Sequence, residues 1–491
     1  MTFVPLAEWL PDQAAFGLSG LTTALNCVAA AGQHYEPWDA LEPVSDALSA
    51  ACLGAASGKD NDGIGYSFAG SAAAIESLQS DGTWSDVTNG GGAYTTGTED
   101  RWRFAQFGTL AIATNFADAI QKFELGADAA FDDLGTNAPK ARYAAVVRDF
   151  LVVAFTEDGV DGVVRNRVRW CPIANPDGDW AISATTQADF QDVATGGGAV
   201  GLVGGEFGIV LMEGSLYRMS YAGPPVVFQF DEIAPSRGCA AAGSVATDGR
   251  LSIFLSEDGF YSTDGQSVQP IGAGKLDRWF AGDVDPGAYG QMSALMDPTR
   301  QIYMLAYRSA SATTTANDSL LLYNWVAQRW TVARAMTETL CSMLSASLDL
   351  EDLDSISASI DALPASLDSR QWISNARYRG AIDTSHKLAT FTGDPLEATF
   401  ETGEAALGNA GATRAMVQTV RPIVDGTRTV ALGMRDDQAD AVVWGTARSP
   451  ARDGCCGFRG DARFHRARLT VSGDWTKAQG LDIAFVATGG S

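Results

Sequence analysis

The chain has 491 residues, 46% of them hydrophobic, and its 59 acidic against 34 basic residues leave a net charge of −25. This length and apolar share allow a large buried core or several domains, while the acidity excludes the overall basic footprint that ordinary electrostatic DNA binding needs. No run approaches the roughly 18 apolar residues of a membrane span, and the opening MTFVPLAEWLPDQ lacks the basic-then-apolar order of a secretory leader.

Residues 1–48 mix Pro, Trp and Phe with turn residues, as in EWLPDQAAFG and HYEPWDALEPVSDAL. They read as an extended segment that drapes over a surface. From residue 49 onward, short apolar runs end at Gly or Asp-Gly, the grammar of antiparallel strands joined by tight hairpins. CLGAAS and IGYSFAG flank a KDNDG turn, and AIESL and TWSDV flank Asp81-Gly82. RWRFAQFG with LAIATN, then RYAAVVRDFLVVAF and NRVRWCPIANPDGDW, continue the pattern. It is clearest from Val200 to Ile271, which reads as one or two units of a repeated β architecture. MSALMDP, IYMLAY, SLLLYNW and QRWTV repeat it once more.

The units start roughly every forty to sixty residues, near the period of propeller blades. LVVAF, LSIFL and SLLLY are apolar on both faces, as strands packed between neighbouring blades must be. Separate sandwiches would alternate more and show clearer linkers. The expected fold is therefore all-β. A β-propeller body spans 49–400, preceded by the N-terminal extended segment 1–48 and followed by a C-terminal β module over 401–491. In that module MVQTVRPIV, TVALGMR and ARFHRARLTVSG alternate as half-buried strands do.

An acidic insertion interrupts the body at 345–369, SASLDLEDLDSISASIDALPASLDS. It carries Asp349, Glu351, Asp352, Asp354, Asp361 and Asp368 without Lys or Arg. These six are the candidate acidic channel or gate residues; the plainer reading is a solvated face.

Chemistry is hard to find. Cys27, Cys52, Cys171, Cys239, Cys341, Cys455 and Cys456 are scattered and odd in number, so a disulfide framework is not expected and a reducing cytoplasm fits. His34, His386 and His465 make no metal pattern and read as satisfied structural histidines. Asp60 and Asp62 before Gly63 read as a hairpin turn, because the later ligands of a calcium loop are missing. GYSFAG around Ser67 lacks the second Gly of a nucleophile elbow. GGGAVG at 196–201 matches a dinucleotide fingerprint formally, but strand text follows it where a helix is required. Ser80–Trp84 and Ser256–Gly259 resemble Asp-box turns without their full spacing. The basic cluster RDGCCGFRGDARFHRAR reads as a charged strand edge. No catalytic residue, cofactor site or metal site is assigned.

Several long strings together resemble one family. They include FVPLAEWLPD with GLTTALN, RWRFAQFG with IATN, and RYAAVVRDFLVV. VGGEFGIVLMEGSLYRMSYAGPPVVFQFDEI, LSEDGFYSTDGQSVQPIGAGKLDRWF, LPASLDSRQW and HRARLTVSGDWTKAQG extend the resemblance over nearly the whole chain. The family is the tail-hub or nozzle proteins of short-tailed bacteriophages, also called packaged-DNA stabilisation proteins. The resemblance implies a structural virion protein made in the host bacterial cytoplasm, without enzymatic activity. It implies a β-propeller body in a homohexameric ring below the portal and its head–tail adaptor. That ring would carry fibres, spikes or a plug, retain packaged double-stranded DNA, and pass it during ejection without sequence-specific binding. The alternatives are a propeller glycosidase or lyase acting on host surface polysaccharide, and a propeller platform that binds a protein partner.

Overall fold

The computed structural model describes residues 2–345, Ser359, 377–408 and 413–489. Nearly all of the regular structure is strand, with one short α-helix, α1, at Asp277–Asp283. The hairpin grammar is realised locally. At the first blade's opening turn, Asp60 Oδ1 accepts the amides of Asp62 and Ile64, and Gly63 takes the left-handed φ of +83° that the turn requires. The carboxylate there closes a turn between Gly54–Lys59 and Gly65–Gly70.

Five successive four-stranded antiparallel sheets cover residues 54–86, 103–133, 140–192, 199–235 and 246–270, and we number them blades I to V. The stretch from Val200 to Ile271 thus holds blades IV and V. Blade VI follows over residues 293–337. The long strand Arg329–Leu344 then changes partner at Thr337: its first half pairs with Asn317–Asn324 and its second half with Arg377–Asp383. That second half opens blade VII, which continues through Lys387–Pro395. Asp39–Ala47, from the start of the chain, supplies the outermost strand of this last blade, with Leu41 opposite Phe391 and Glu42 opposite Thr390.

Burial explains why the sheets form a ring. The strands Gly208–Met212, Ser252–Ser256 and Ile302–Tyr307 are buried at every residue. A sheet apolar on both faces needs cover on both, and each blade obtains it from its two neighbours. Phe68, Trp102, Phe123 and Phe131 fill the space between blades I and II. Val152, Val210, Met212 and Met219 lie between III and IV. Leu211, Phe254 and Tyr261 lie between IV and V, and Met304, Leu322, Leu340 and Phe391 between VI and VII. The last gap, between VII and I, is filled by Leu48, Cys52, Ala69, Cys341, Met343, Ile382 and Leu388. Ser67 Oγ accepts the Leu344 amide at 2.9 Å and donates to the Leu344 carbonyl at 2.8 Å across that same gap. Ser57 Oγ donates to Ser342 O beside it. The ring is therefore closed.

A second body is a β-sandwich. One sheet orders Cys27–Ala29, Tyr35–Pro37, Ala478–Gly489, Arg414–Val424 and Cys456–Ala462, with Thr2–Pro5 also on Ala478–Gly489. The other orders Leu21–Leu25, Ala398–Thr402, Phe464–Ser472, Thr427–Arg435 and Val443–Trp444. Residues 1–48 thus contain five strands, divided between the sandwich and blade VII. Cys456–Ala462 and Phe464–Ser472 alternate buried and more exposed residues, the signature of strands with one covered face.

The two bodies share a core in which Trp330 and Tyr323 of blade VI join Phe400, Leu469 and Trp475 of the sandwich. They are also joined by a parallel bridge from Leu25 to Val332. Asp12 caps α1 from a distance, accepting the amides of Arg278 and Trp279.

Replacing Ser67 with Ala should leave the Leu344 amide and carbonyl without that partner in a buried seam. The expected loss is about 1–3 kcal/mol of unfolding free energy, measured by denaturant titration, whereas Ser85→Ala on an exposed outer strand should change little.

Candidate functional site

The inner strands of the seven blades surround two adjoining cavities on the ring axis. One, of about 320 Å³, is lined by residues 103–106, 143–146, 201–204 and 245–247 together with Ala242, from blades II to V. The other, also about 320 Å³, is lined by residues 53–57, 101–104, 291–295 and 338–342 together with Arg377, from blades I, II, VI and VII. Arg103 and Phe104 belong to both. Backbones approach closely here: a Cβ on Gly204 would lie 2.2 Å from the Val146 carbonyl oxygen.

Charge around these cavities is sparse. Glu338 is the one carboxylate among their described lining residues, and it is engaged. It accepts the Cys52 amide at 2.7 Å and pairs with His386 Nδ1 at 2.6 Å. Burial pushes its pKa above the usual carboxylate value, and these two partners pull it back. Arg101 donates to the carbonyls of Thr98 and Asp100, and Arg377 to Ser342 Oγ. Arg103 is half-buried, its nitrogens open to the cavity; among the described residues it has neither a hydrogen bond nor an ion pair, and desolvation lowers its pKa. Tyr143, 9% exposed, has no hydrogen-bond partner for its hydroxyl, and burial pushes its pKa up to about 12. The strand that carries Arg103 gave no sequence signal of its place at the cavity, because an arginine in RWRFAQFG looks like any strand residue.

Other candidates from the sequence resolve into structure. Ser67 is a seam residue, as above. GGGAVG at 196–201 runs into the strand Ala199–Val203 and no helix follows. Asp81 accepts the Thr83 amide and hydroxyl in the turn before Trp84. Asp258, in the turn before Gly259, accepts from Tyr261 and pairs with Arg237. In the basic cluster, Cys456–Ala462 is an edge strand. Arg466 and Arg468 in the next strand face Glu404 and Glu401. All seven cysteines are free thiols, six of them buried and Cys455 partly so. Among the described residues no group of three or more His, Cys, Asp or Glu is placed to hold a metal ion.

The candidate gate residues Asp349, Glu351, Asp352, Asp354, Asp361 and Asp368 lie outside the described residues. Of the histidines, His34 meets Glu36 and His386 meets Glu338. His465 is buried without a close side-chain partner for its ring, with the backbone at Gly460 and Ala415 beside it. The alternation of its strand turns it inward, and burial pushes its pKa below the ordinary histidine value.

No family model and no curated protein matches the chain. Similar solved structures include the computationally designed Ika8 protein, with 9% identity, a TM-score of 0.35, and 60% of this chain and 92% of that chain covered. Another is the Pan2 WD40 domain of Neurospora crassa, with 9% identity, a TM-score of 0.34, and 58% and 81% covered. A third is YCF48 bound to D1 peptide, with 12% identity, a TM-score of 0.34, and 60% and 85% covered. At such identities the likeness concerns the fold alone, and the blade count given above comes from strand pairing.

His465 makes stability depend on acidity. Below its ordinary pKa of 6.5 the unfolded chain takes up a proton that the folded chain refuses, so stability falls as pH drops through and below that value. Thermal unfolding followed from about pH 7.5 to about pH 5.5 should show a smaller decline in His465→Leu than in the parent chain.

Proposed function

We propose that this chain is a structural subunit of a short phage tail, a hub or nozzle protein that works as a conduit and seal without catalysis. The reading joins the near full-length sequence resemblance to the architecture. A seven-bladed ring is fused to a β-sandwich through a shared sheet and a shared core, giving a stiff body suited to packing beside copies of itself. The observation that carries it is the smallness of the axial cavities. Each of the two cavities, about 320 Å³, holds waters or small ions and is too small for duplex DNA, whose major groove alone is about 12 Å wide. DNA would therefore pass through an opening formed by several copies around a common axis.

The net charge of −25 suits that use. DNA carries one charge per about 1.7 Å of axis, so a basic wall would grip it and an acidic wall lets it slide. Screening confines the effect to about 8–10 Å, so carboxylates facing the opening dominate. In this reading the insertion bearing Asp349 to Asp368 contributes to the mouth of the shared opening. A propeller glycosidase or lyase would need paired carboxylates at a pocket. At the axis, Glu338 is already occupied by His386 and the Cys52 amide.

The purified chain, alone or with a portal–adaptor complex, should form a ring of about six copies by electron microscopy and mass measurement, the stoichiometry the family resemblance implies. A monomer at all concentrations that ignores the portal–adaptor complex, or one that cleaves capsular glycan, would overturn this reading.

A further inference from the structure

The axial cavity of blades II to V is built to receive something. Among its lining residues one is charged, Arg103, and the rest are mostly Ala, Val, Leu and Gly. A guanidinium presents five donors and stays charged in proteins, so leaving it in apolar surroundings without a partner is costly. Several other arginines in this protein meet carboxylates, although Arg329 Nη1 and Arg218 Nε are also buried without a hydrogen-bond partner. Arg167 meets Asp158, Asp161 and Asp192, and Arg435 meets Glu404 through two hydrogen bonds. Gln106, the lining amide, is already used: it donates to the Lys59 and Gly108 carbonyls and accepts the Lys59 amide. Tyr143 is not. Its hydroxyl and the Arg103 guanidinium act on one another electrostatically and are both left with donors unspent. The nearby Cys239 is an un-ionised thiol, since burial pushes its pKa up to about 12, and it offers no counter-charge.

We propose that this cavity binds one small oxyanion per chain, a phosphate or a short carboxylate. Arg103 supplies the charge and a paired donor edge, and Tyr143 supplies a further hydrogen bond. The volume of about 320 Å³ accepts such an ion with several waters, and an arginine fork matches two oxygens of either ion side by side. Bound there, the anion neutralises the axis and ties blade II to blade III. The site is separate from any DNA path and does not depend on the tail reading.

The test is thermal unfolding of the full chain in inorganic phosphate, in acetate, and in chloride at matched ionic strength, with equilibrium dialysis of phosphate for stoichiometry. Phosphate or acetate should raise the melting temperature where chloride does not, with one site per chain. Arg103→Met should weaken binding by about tenfold or more, the loss expected for a charge-assisted contact. It should also melt no lower than the parent chain in chloride, because it removes an unpaired charge. Tyr143→Phe should weaken binding by a few-fold, and it keeps the question answerable if the methionine variant does not fold. Equal shifts in chloride, unchanged phosphate binding in either variant, or no saturable binding by the parent chain would each overturn the proposal.

Discussion

The constraint on which the molecule depends is that a four-stranded sheet with two apolar faces has no stable existence alone. Each blade must be covered on both sides, and a linear stack would leave its two ends open. A ring removes the ends, provided the last blade meets the first. Here that meeting is made by a small apolar cluster around Cys52, Cys341 and Met343. It is reinforced by the Ser67 hydroxyl bonded to both backbone groups of Leu344. These are modest contacts one by one, but they hold the ring shut, and so they govern whether the inter-blade cores elsewhere stay dry.

Much of this could be read from the sequence, for a physical reason. Strand and hairpin signals are local: the two-faced apolar runs LSIFL and SLLLY, and turns such as KDNDG, declare themselves over a few residues. The blade period follows from those signals. The count of seven does not, because blade VII takes its inner strand from the end of Arg329–Leu344 and its outer strand from Asp39–Ala47. A strand with an ordinary hairpin partner and one paired with residues about 350 positions away look alike in sequence. The sandwich was legible in its C-terminal strands, but not in its N-terminal ones, since Cys27–Ala29 and Leu21–Leu25 are too short to reveal which sheets they enter.

The site was less legible still. Motif searches look for residues adjacent in sequence, and the axial cavity is assembled from one short inner strand per blade. Arg103 stands out as the single charge lining the cavity of blades II to V, and which residues line a cavity is a property of the folded chain. His465 illustrates the same point from the other side. Its neighbours in HRAR suggested a charged edge, yet strand alternation turns it into the sandwich interior.

The use of Asp39–Ala47 as the outer strand of blade VII also sets an order of events in synthesis. The ribosome releases this strand early and its partner Lys387–Pro395 roughly 350 residues later. At about 5–20 residues per second the wait is on the order of tens of seconds. Throughout it the nascent chain holds an unpaired edge and an incomplete barrel of blades. Contacts this distant are slow to form and exposed to aggregation meanwhile. The finished body is sturdy because Asp39–Ala47 is knitted to Lys387–Pro395, and for the same reason it can only be completed once that later strand has been made.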